Sequence, residues 1–259
     1  MLVFAHDFSY LCTMEWKIIH IGETDSTNRQ MRDALGHSDG AIGSAVNSGI
    51  PVCLVADYQT AGRGCGTNRW ESEPDQNLLF SLLIHPSGVA ANRQFRISMA
   101  ISLSICEALG RHIGDLSIKW PNDIYWRNAK IAGILIEHTL QGASIRDSII
   151  GVGLNVNQRR FHSNAPNPVS LWQICEQTTD REQLLRDILA SFERFLYTDD
   201  VRSPYLSMLY RRRGYHPYTD RHGIFMAEIM GVEDDGHLLL CDDSGIERRY
   251  AFKEVQFVI

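Results

Sequence analysis

Near Gly214 the chain changes character, and that change constrains the fold more than any single motif. Up to residue 213, apolar runs of strand length alternate with stretches of helical periodicity. Beyond it, GIFMAEIMGVEDDGHLLLCDDSGIERRYAFKEVQFVI (223–259) alternates short β-type runs with Asp-Asp-Gly and Asp-Ser-Gly turns. This texture predicts an α+β domain over 16–213 and a small all-β module over 214–259, barrel-like by strand count. Residues 1–15 read as an extension, with Met14 a natural beginning of the fold. A chain of 259 residues is long enough for one large domain with a small one appended.

Within the first region, KIIHIGETDSTNRQMRDAL (17–35) predicts a strand that turns into a helix near Ser26 or Thr27, both good N-cap types. PVCLVADYQT (51–60) and NLLFSLLIHP (77–86) read as buried strands, the second stopped by Pro86. Phe95, Met99, Leu103, Cys106 and Leu109 fall at helical spacing, with Gly110 and Gly114 near the helix end. SIKW (117–120) reads as a strand, followed by a hairpin turning at Arg127-Asn128-Ala129 and a long apolar strand. DSIIGVGLNVN (147–157) should pair beside that strand. In TDREQLLRDILASFERFLY (179–197), Asp180 and Gln183 suggest a capping box, and Leu184, Leu185, Ile188, Leu189, Phe192, Phe195 and Leu196 form an inward stripe.

A net charge of −6 argues against general affinity for nucleic acid, and Arg211-Arg212-Arg213 is short enough to be a solvated run. Six cysteines without a C-x-x-C pair fit neither a disulfide framework nor a zinc site. The start lacks a basic n-region and an unbroken apolar stretch, and no run reaches membrane-span length. These features suggest a cytoplasmic protein without membrane contact.

Four stretches could carry chemistry. In QTAGRGCGTNRW (59–70), glycines allow backbone N–H groups to approach an anion, and Arg63 can fork two hydrogen bonds onto it; the alternative is a plain surface turn. Neither the Walker pattern nor G-x-G-x-x-G after the first strand is present. In IKWPNDIYW (118–126), Lys119 ends a strand among Trp120, Tyr125 and Trp126, a setting that suggests a partly dry site; a solvated lysine beside a Pro-Asn-Asp turn is the bland alternative. In ETDSTN (23–28), Ser26 and Thr27 are N-caps first, although a helix N-terminus also offers donors to a ligand. In GVGLNVN (151–157), Gly151 and Gly153 suggest close approach of a ligand or another backbone, and Asn155 offers an amide edge.

Together, ETDSTN, QTAGRG with its Trp, NLLFSLLI, KWPNDIYW, KIAGILIE and GVGLNVN resemble the biotin–protein ligase family in order and approximate spacing, from about residue 16 to the C-terminus. The resemblance implies a class II aminoacyl-tRNA-synthetase-like mixed-sheet catalytic domain followed by a small SH3-like domain. It also implies a two-step reaction. Biotin and MgATP give biotinyl-5′-AMP, and the biotinyl group then passes to a lysine of a biotin carboxyl carrier protein or domain. By the same resemblance, Lys119 and Arg63 would be catalytic. Ser26, Thr27, Asn28, Gln59, Arg63, Gly64, Cys65, Lys119, Gly133 and Leu135 would meet biotin, and Trp70 and Asn155 the nucleotide. Mg²⁺ is expected, but no ligands for it are identified. Asp123 and Glu137 stand unranked as bases for the acceptor lysine.

Two departures from the family pattern stand out. Where the family loop commonly carries a second arginine, this chain has Cys65, which predicts a weaker grip on the adenylate. About 20 residues precede ETDSTN, too few for the helix-turn-helix domain of some members, so a ligase-only type without a DNA partner is expected. Exposed sheet edges leave room for a homodimer. The rival readings are a lipoate–protein ligase or octanoyl transferase of the same catalytic fold, and a non-catalytic biotin sensor.

Overall fold

The computed structural model describes residues 14–66, 68–86, 88–163 and 165–259; most of the expected N-terminal extension, with Cys12, lies outside them. The elements run β1 (Lys17–Thr24), α1 (Thr27–Ala34), α2 (Gly40–Val46), β2 (Val52–Gln59), β3 (Leu78–Ile84) and α3 (Phe95–Leu109). There follow β4 (Leu116–Lys119), β5 (Asp123–Trp126), β6 (Ala129–Gln141), β7 (Ser144–Leu154), α4 (Leu171–Cys175), α5 (Arg181–Tyr197) and α6 (Arg202–Ser207). The last region holds β8 (His216–Asp220), β9 (Gly223–Val232), β10 (Leu238–Asp242), β11 (Glu247–Tyr250) and β12 (Gln256–Phe257).

The first seven strands form one mixed sheet in the order β1-β2-β3-β7-β6-β5-β4. Only β1 and β2 pair in parallel; the other neighbours are antiparallel. Because side chains alternate along a strand, the sheet has two distinct faces. Cys53 and Val55 of β2, Phe80 and Leu82 of β3, and Ile150 and Val152 of β7 join the core formed with α3 and α5. Leu54, Leu83 and Ile149 point the other way, onto Met31 of α1 and Ala45 and Val46 of α2. Helix α3 is buried on almost every side because it lies between the sheet and α5. The inward stripe of α5 packs as its spacing predicts, with Phe195 half-buried at its margin.

The remaining five strands form an antiparallel sheet in the order β11-β10-β9-β8-β12. Its inward residues Tyr218, Ala227, Val232, Leu238 and Leu240 belong to the same continuous core as the large sheet. Trp120 Nε1, just past β4, donates to the Gly236 carbonyl (2.9 Å), tying the small sheet to the large one, and Arg211 Nη1, in the linker after α6, donates to the Val258 carbonyl (2.8 Å). No helix among the described residues is long and apolar enough to cross a membrane, and the five described cysteines are free thiols.

Some local expectations need correction. Ser26 occupies the N-cap position of α1, but its side chain makes no capping bond. The Thr27 N–H donates instead to Gln59 Oε1 (2.8 Å). Asp180 does cap α5, accepting from the backbones of Glu182 and Gln183. The box does not close, because Gln183 Oε1, the atom that would accept the Asp180 N–H, accepts from Arg186 Nη2 instead (3.0 Å). The reciprocal box belongs to Ser170 and Gln173 at α4. Helices α2, α4 and α6 carry no periodic apolar signal: they are short, one is rich in glycine and alanine, and one contains Pro204. The β5–β6 hairpin turns where expected, with Arg127 in the left-handed region (φ 52).

Candidate active site

Between the large sheet, the glycine-rich segment and the end of the small sheet lies a cleft of about 810 Å³, a size that accommodates a cofactor-sized ligand. The glycine-rich segment is a short hairpin, not an open loop. Arg63 and Arg69 form a β-bridge. Gly64 N–H donates to the Asn68 carbonyl (2.8 Å), and Trp70 N–H donates to the Gly62 carbonyl (2.9 Å). This hairpin carries Arg63, Cys65 and Trp70 over the sheet.

The floor comes from the face of the sheet opposite α3. Gly133, Gly151 and Gly153 leave it bare, and two side chains fill the space. A Cβ on Gly153 would stand 2.3 Å from the Trp70 ring, one on Gly133 3.0 Å from it, and one on Gly151 2.3 Å from Asn28 Oδ1. The sequence suggested that a ligand or another backbone approaches Gly151 and Gly153; what approaches is the Asn28 amide and the Trp70 indole. Ser81 Oγ donates to Asn28 Oδ1 (2.6 Å) and lies 2.7 Å from Thr27 Oγ1. Asn28 Nδ2 donates to the Leu135 carbonyl (3.2 Å) and to Glu137 Oε2 (3.1 Å). Thr27 and Gln59 complete this polar network.

Charge in the cleft runs against the balance of the chain. An acidic protein of net charge −6 lines this cavity with Arg63, Arg69, Lys119, Lys130 and Lys253, against Asp123 as the one acidic side chain among the described lining residues. Lys130 Nζ pairs with Asp123 Oδ1 (2.6 Å). Arg63 Nη1 reaches Glu137 Oε1 at 4.0 Å, and Arg32 pairs with the same oxygen. Among the described residues Lys119 has no ion pair or hydrogen bond. Its ammonium lies 5.5 Å from the centre of the Tyr125 ring and 5.1 Å from that of Phe257. Burial pushes the Lys119 ammonium below the ordinary lysine range; Asp123 pulls it back, and Lys130 and Arg211 push it further down. A partly buried cation facing rings rather than a carboxylate gains more from an incoming anion than a solvated one.

Ser26, Thr27, Asn28, Gln59, Arg63, Gly64, Cys65, Trp70, Lys119, Gly133 and Leu135 all line the cleft. Asn155 does not: it is buried behind the wall, and its Nδ2 donates to the Val169 carbonyl (3.0 Å) while Oδ1 has no partner. Cys65 Sγ accepts a hydrogen bond from Asn122 Nδ2 (3.0 Å), and burial raises its thiol above the usual range. Asp123 and Glu137 are both engaged with cations, so neither stands free as a base. Sequence reasoning missed Lys130, although it opens the KIAGILIE stretch. It also missed Lys253, which reaches the cleft from the small sheet and has no local signal.

The sequence model of the Biotin/lipoate A/B protein ligase family matches residues 44–155, which hold the glycine-rich hairpin, Lys119 and the glycine floor. Bifunctional ligase/repressor BirA of Salmonella typhimurium is 30% identical over 234 residues, covering 86% of this chain and 69% of that protein. Biotin--[acetyl-CoA-carboxylase] ligase of Paracoccus denitrificans is 29% identical over 245 residues, covering 87% and 94%. In fold, the chain is similar to the biotin protein ligase of Aquifex aeolicus solved with biotin and ATP, with a TM-score of 0.72 and 24% identity over 93% of this chain and 99% of that one. The chain belongs to the biotin–protein ligases, within the biotin/lipoate A/B protein ligase family.

Proposed function

We propose that this protein activates biotin with ATP to biotinyl-5′-AMP, releasing pyrophosphate, and passes the biotinyl group to a lysine of a biotin carboxyl carrier protein or domain, releasing AMP. The observation that carries this reading is the excess positive charge of a cleft in an acidic chain, centred on the unpaired ammonium of Lys119. Joining a carboxylate to a triphosphate crowds two anions together, so fixed cations lower the barrier. Lys119 would meet the reacting anions in the cleft and neutralise charge as the biotin carboxylate attacks the α-phosphate and pyrophosphate leaves. Arg63 carries a second cation above them on the hairpin. Ser26, Thr27, Asn28 and Gln59 supply the polar end of the biotin pocket, Gly64 and Cys65 its lid, and Gly133 and Leu135 its floor. Trp70 offers an aromatic face to the adenine. With the hairpin down, water has little access to the mixed anhydride.

Mg²⁺ would be held mainly by the phosphates of ATP; Asp123, the acidic side chain of the cleft, is already paired with Lys130. It would supply charge neutralisation when bound. The mixed sheet is read as the class II synthetase-like catalytic domain over 16–213, and the small sheet as an SH3-like domain over 214–259. Cys65 takes a position where a guanidinium would grip the adenylate, so Cys65→Arg should slow adenylate release; an unchanged release rate would contradict this.

The test of the function is exchange of pyrophosphate into ATP, run separately with biotin, lipoate and octanoate. Exchange with biotin alone is the expected result. Exchange with lipoate or octanoate moves the chain to the lipoate branch, and no exchange by protein that still binds biotin makes it a sensor.

A further inference from the structure

We infer that Lys253, delivered to the cleft by the small sheet, contacts a phosphate of the bound nucleotide; this rests on the function proposed above. The first observation is conformational. Lys253 stands in the turn between β11 and β12 with φ 72, in the left-handed region that side-chain-bearing residues avoid. A glycine would hold this turn without strain. A lysine kept in such a backbone at a ligand cleft points to a role for its side chain.

The second observation is where that side chain goes. Lys253 Nζ lies 2.6 Å from the place where a Cβ on Gly66 would be, so the end of the lysine side chain lies directly against this glycine and would have to shift if residue 66 carried a side chain. Gly66 is itself left-handed (φ 70). The ammonium therefore rests against the backbone of the anion-facing hairpin, and Lys253 lines the same cleft as Lys119 and Arg63. Its field already reaches the hairpin, where it partly offsets the rise that burial imposes on the Cys65 thiol.

The third observation is that no acid claims it. Lys253 has no ion pair among the described residues. The adjacent Glu254 is turned away, its Oε2 accepting the Ala251 N–H (2.8 Å). A lysine ammonium is a compact point charge with three rotatable donors, suited to a phosphate oxygen rather than to a planar fork. In this chain Lys253 thus brings a cation from the small sheet to the Cys65–Gly66 stretch of the hairpin, and nucleotide binding depends on both sheets.

The experiment is equilibrium binding of ATP, with biotin present, to the full chain and to Lys253→Gln, Lys253→Arg and Lys253→Gly. Removing one charged hydrogen bond to phosphate should weaken ATP about tenfold in the Gln and Gly variants. The Arg variant should stay within about threefold of wild type, because the charge remains. Biotin measured alone should bind all four proteins equally. The Gly variant relieves the strained backbone and should melt no lower than wild type, so its loss of ATP affinity does not arise from misfolding. Wild type that fails to bind ATP, Lys253→Gln that binds it like wild type, or equal losses for ATP and biotin would overturn the assignment. Exchange assays on wild type keep the two claims apart. ATP binding that depends on Lys253, with exchange driven by a different acid, overturns the choice of biotin and supports the role of Lys253.

Discussion

On one face of the large sheet Phe80, Leu82, Ile150 and Val152 meet α3 and α5; one residue along the same strands, Ser81, Gly151 and Gly153 face Asn28 and Trp70. The first face is filled by large apolar side chains that sit deep in the core. The second is emptied of side chains by glycine and refilled by groups from α1 and the hairpin. Period-two alternation lets one strand serve both purposes, so stability and chemistry are separated by a single residue step. The lesson is that substitutions on the two faces should fail in different ways.

The largest expected effect lies on the packed face. Phe80→Ala removes a fully buried ring and should cost about 3–5 kcal/mol of folding stability, measured by denaturant unfolding. A loss below about 1 kcal/mol would mean that this face is not the close-packed one. A smaller effect is expected from Gly153→Ala on the open face, where a methyl group would collide with the Trp70 ring. Overpacking of this kind costs about 1–3 kcal/mol. It should also push Trp70 off the sheet, and the fluorescence of a Trp70→Phe control separates that signal from the other tryptophans. An unchanged spectrum with unchanged stability would place the ring elsewhere.

The smallest effect is the pH dependence that Lys119 contributes on the open face. Burial holds folded Lys119 below the ordinary lysine value of 10.5. Between its lowered value and 10.5 the unfolded chain binds more protons than the folded one, so the stability of the ligand-free protein rises with pH across that alkaline window. Lys119→Met should flatten this contribution, seen as the difference between the two proteins' unfolding curves from neutral to alkaline pH. Identical slopes would show that Lys119 is as solvated folded as unfolded.

Much of the packed face was legible in the sequence because it is periodic. The stripe of α5, the helical spacing over Phe95–Leu109 and the apolar run of β3 all report burial through local repetition. The open face was legible only where an exception stood out, as with Arg63 among glycines or Lys119 before Pro121. Gly151 and Gly153 announced a close approach, but what approaches comes from Asn28 and Trp70, far away in sequence. Asn155 looked like a cleft amide, yet the end of β7 turns it behind the wall toward Val169. Lys253 carried no signal, because its backbone strain and its meeting with Gly66 exist only once two sheets are joined.

The central claim is that Lys119 is an anion-binding cation whose own charge the fold does not need for stability. Biotin-dependent pyrophosphate exchange by Lys119→Gln, measured beside its unfolding midpoint, tests this directly. The account predicts a fall in exchange of about 10²–10³-fold, with a midpoint no lower than wild type because an unpaired, partly buried charge has been removed. Near-normal exchange, or a loss of exchange that merely follows unfolding, would contradict it.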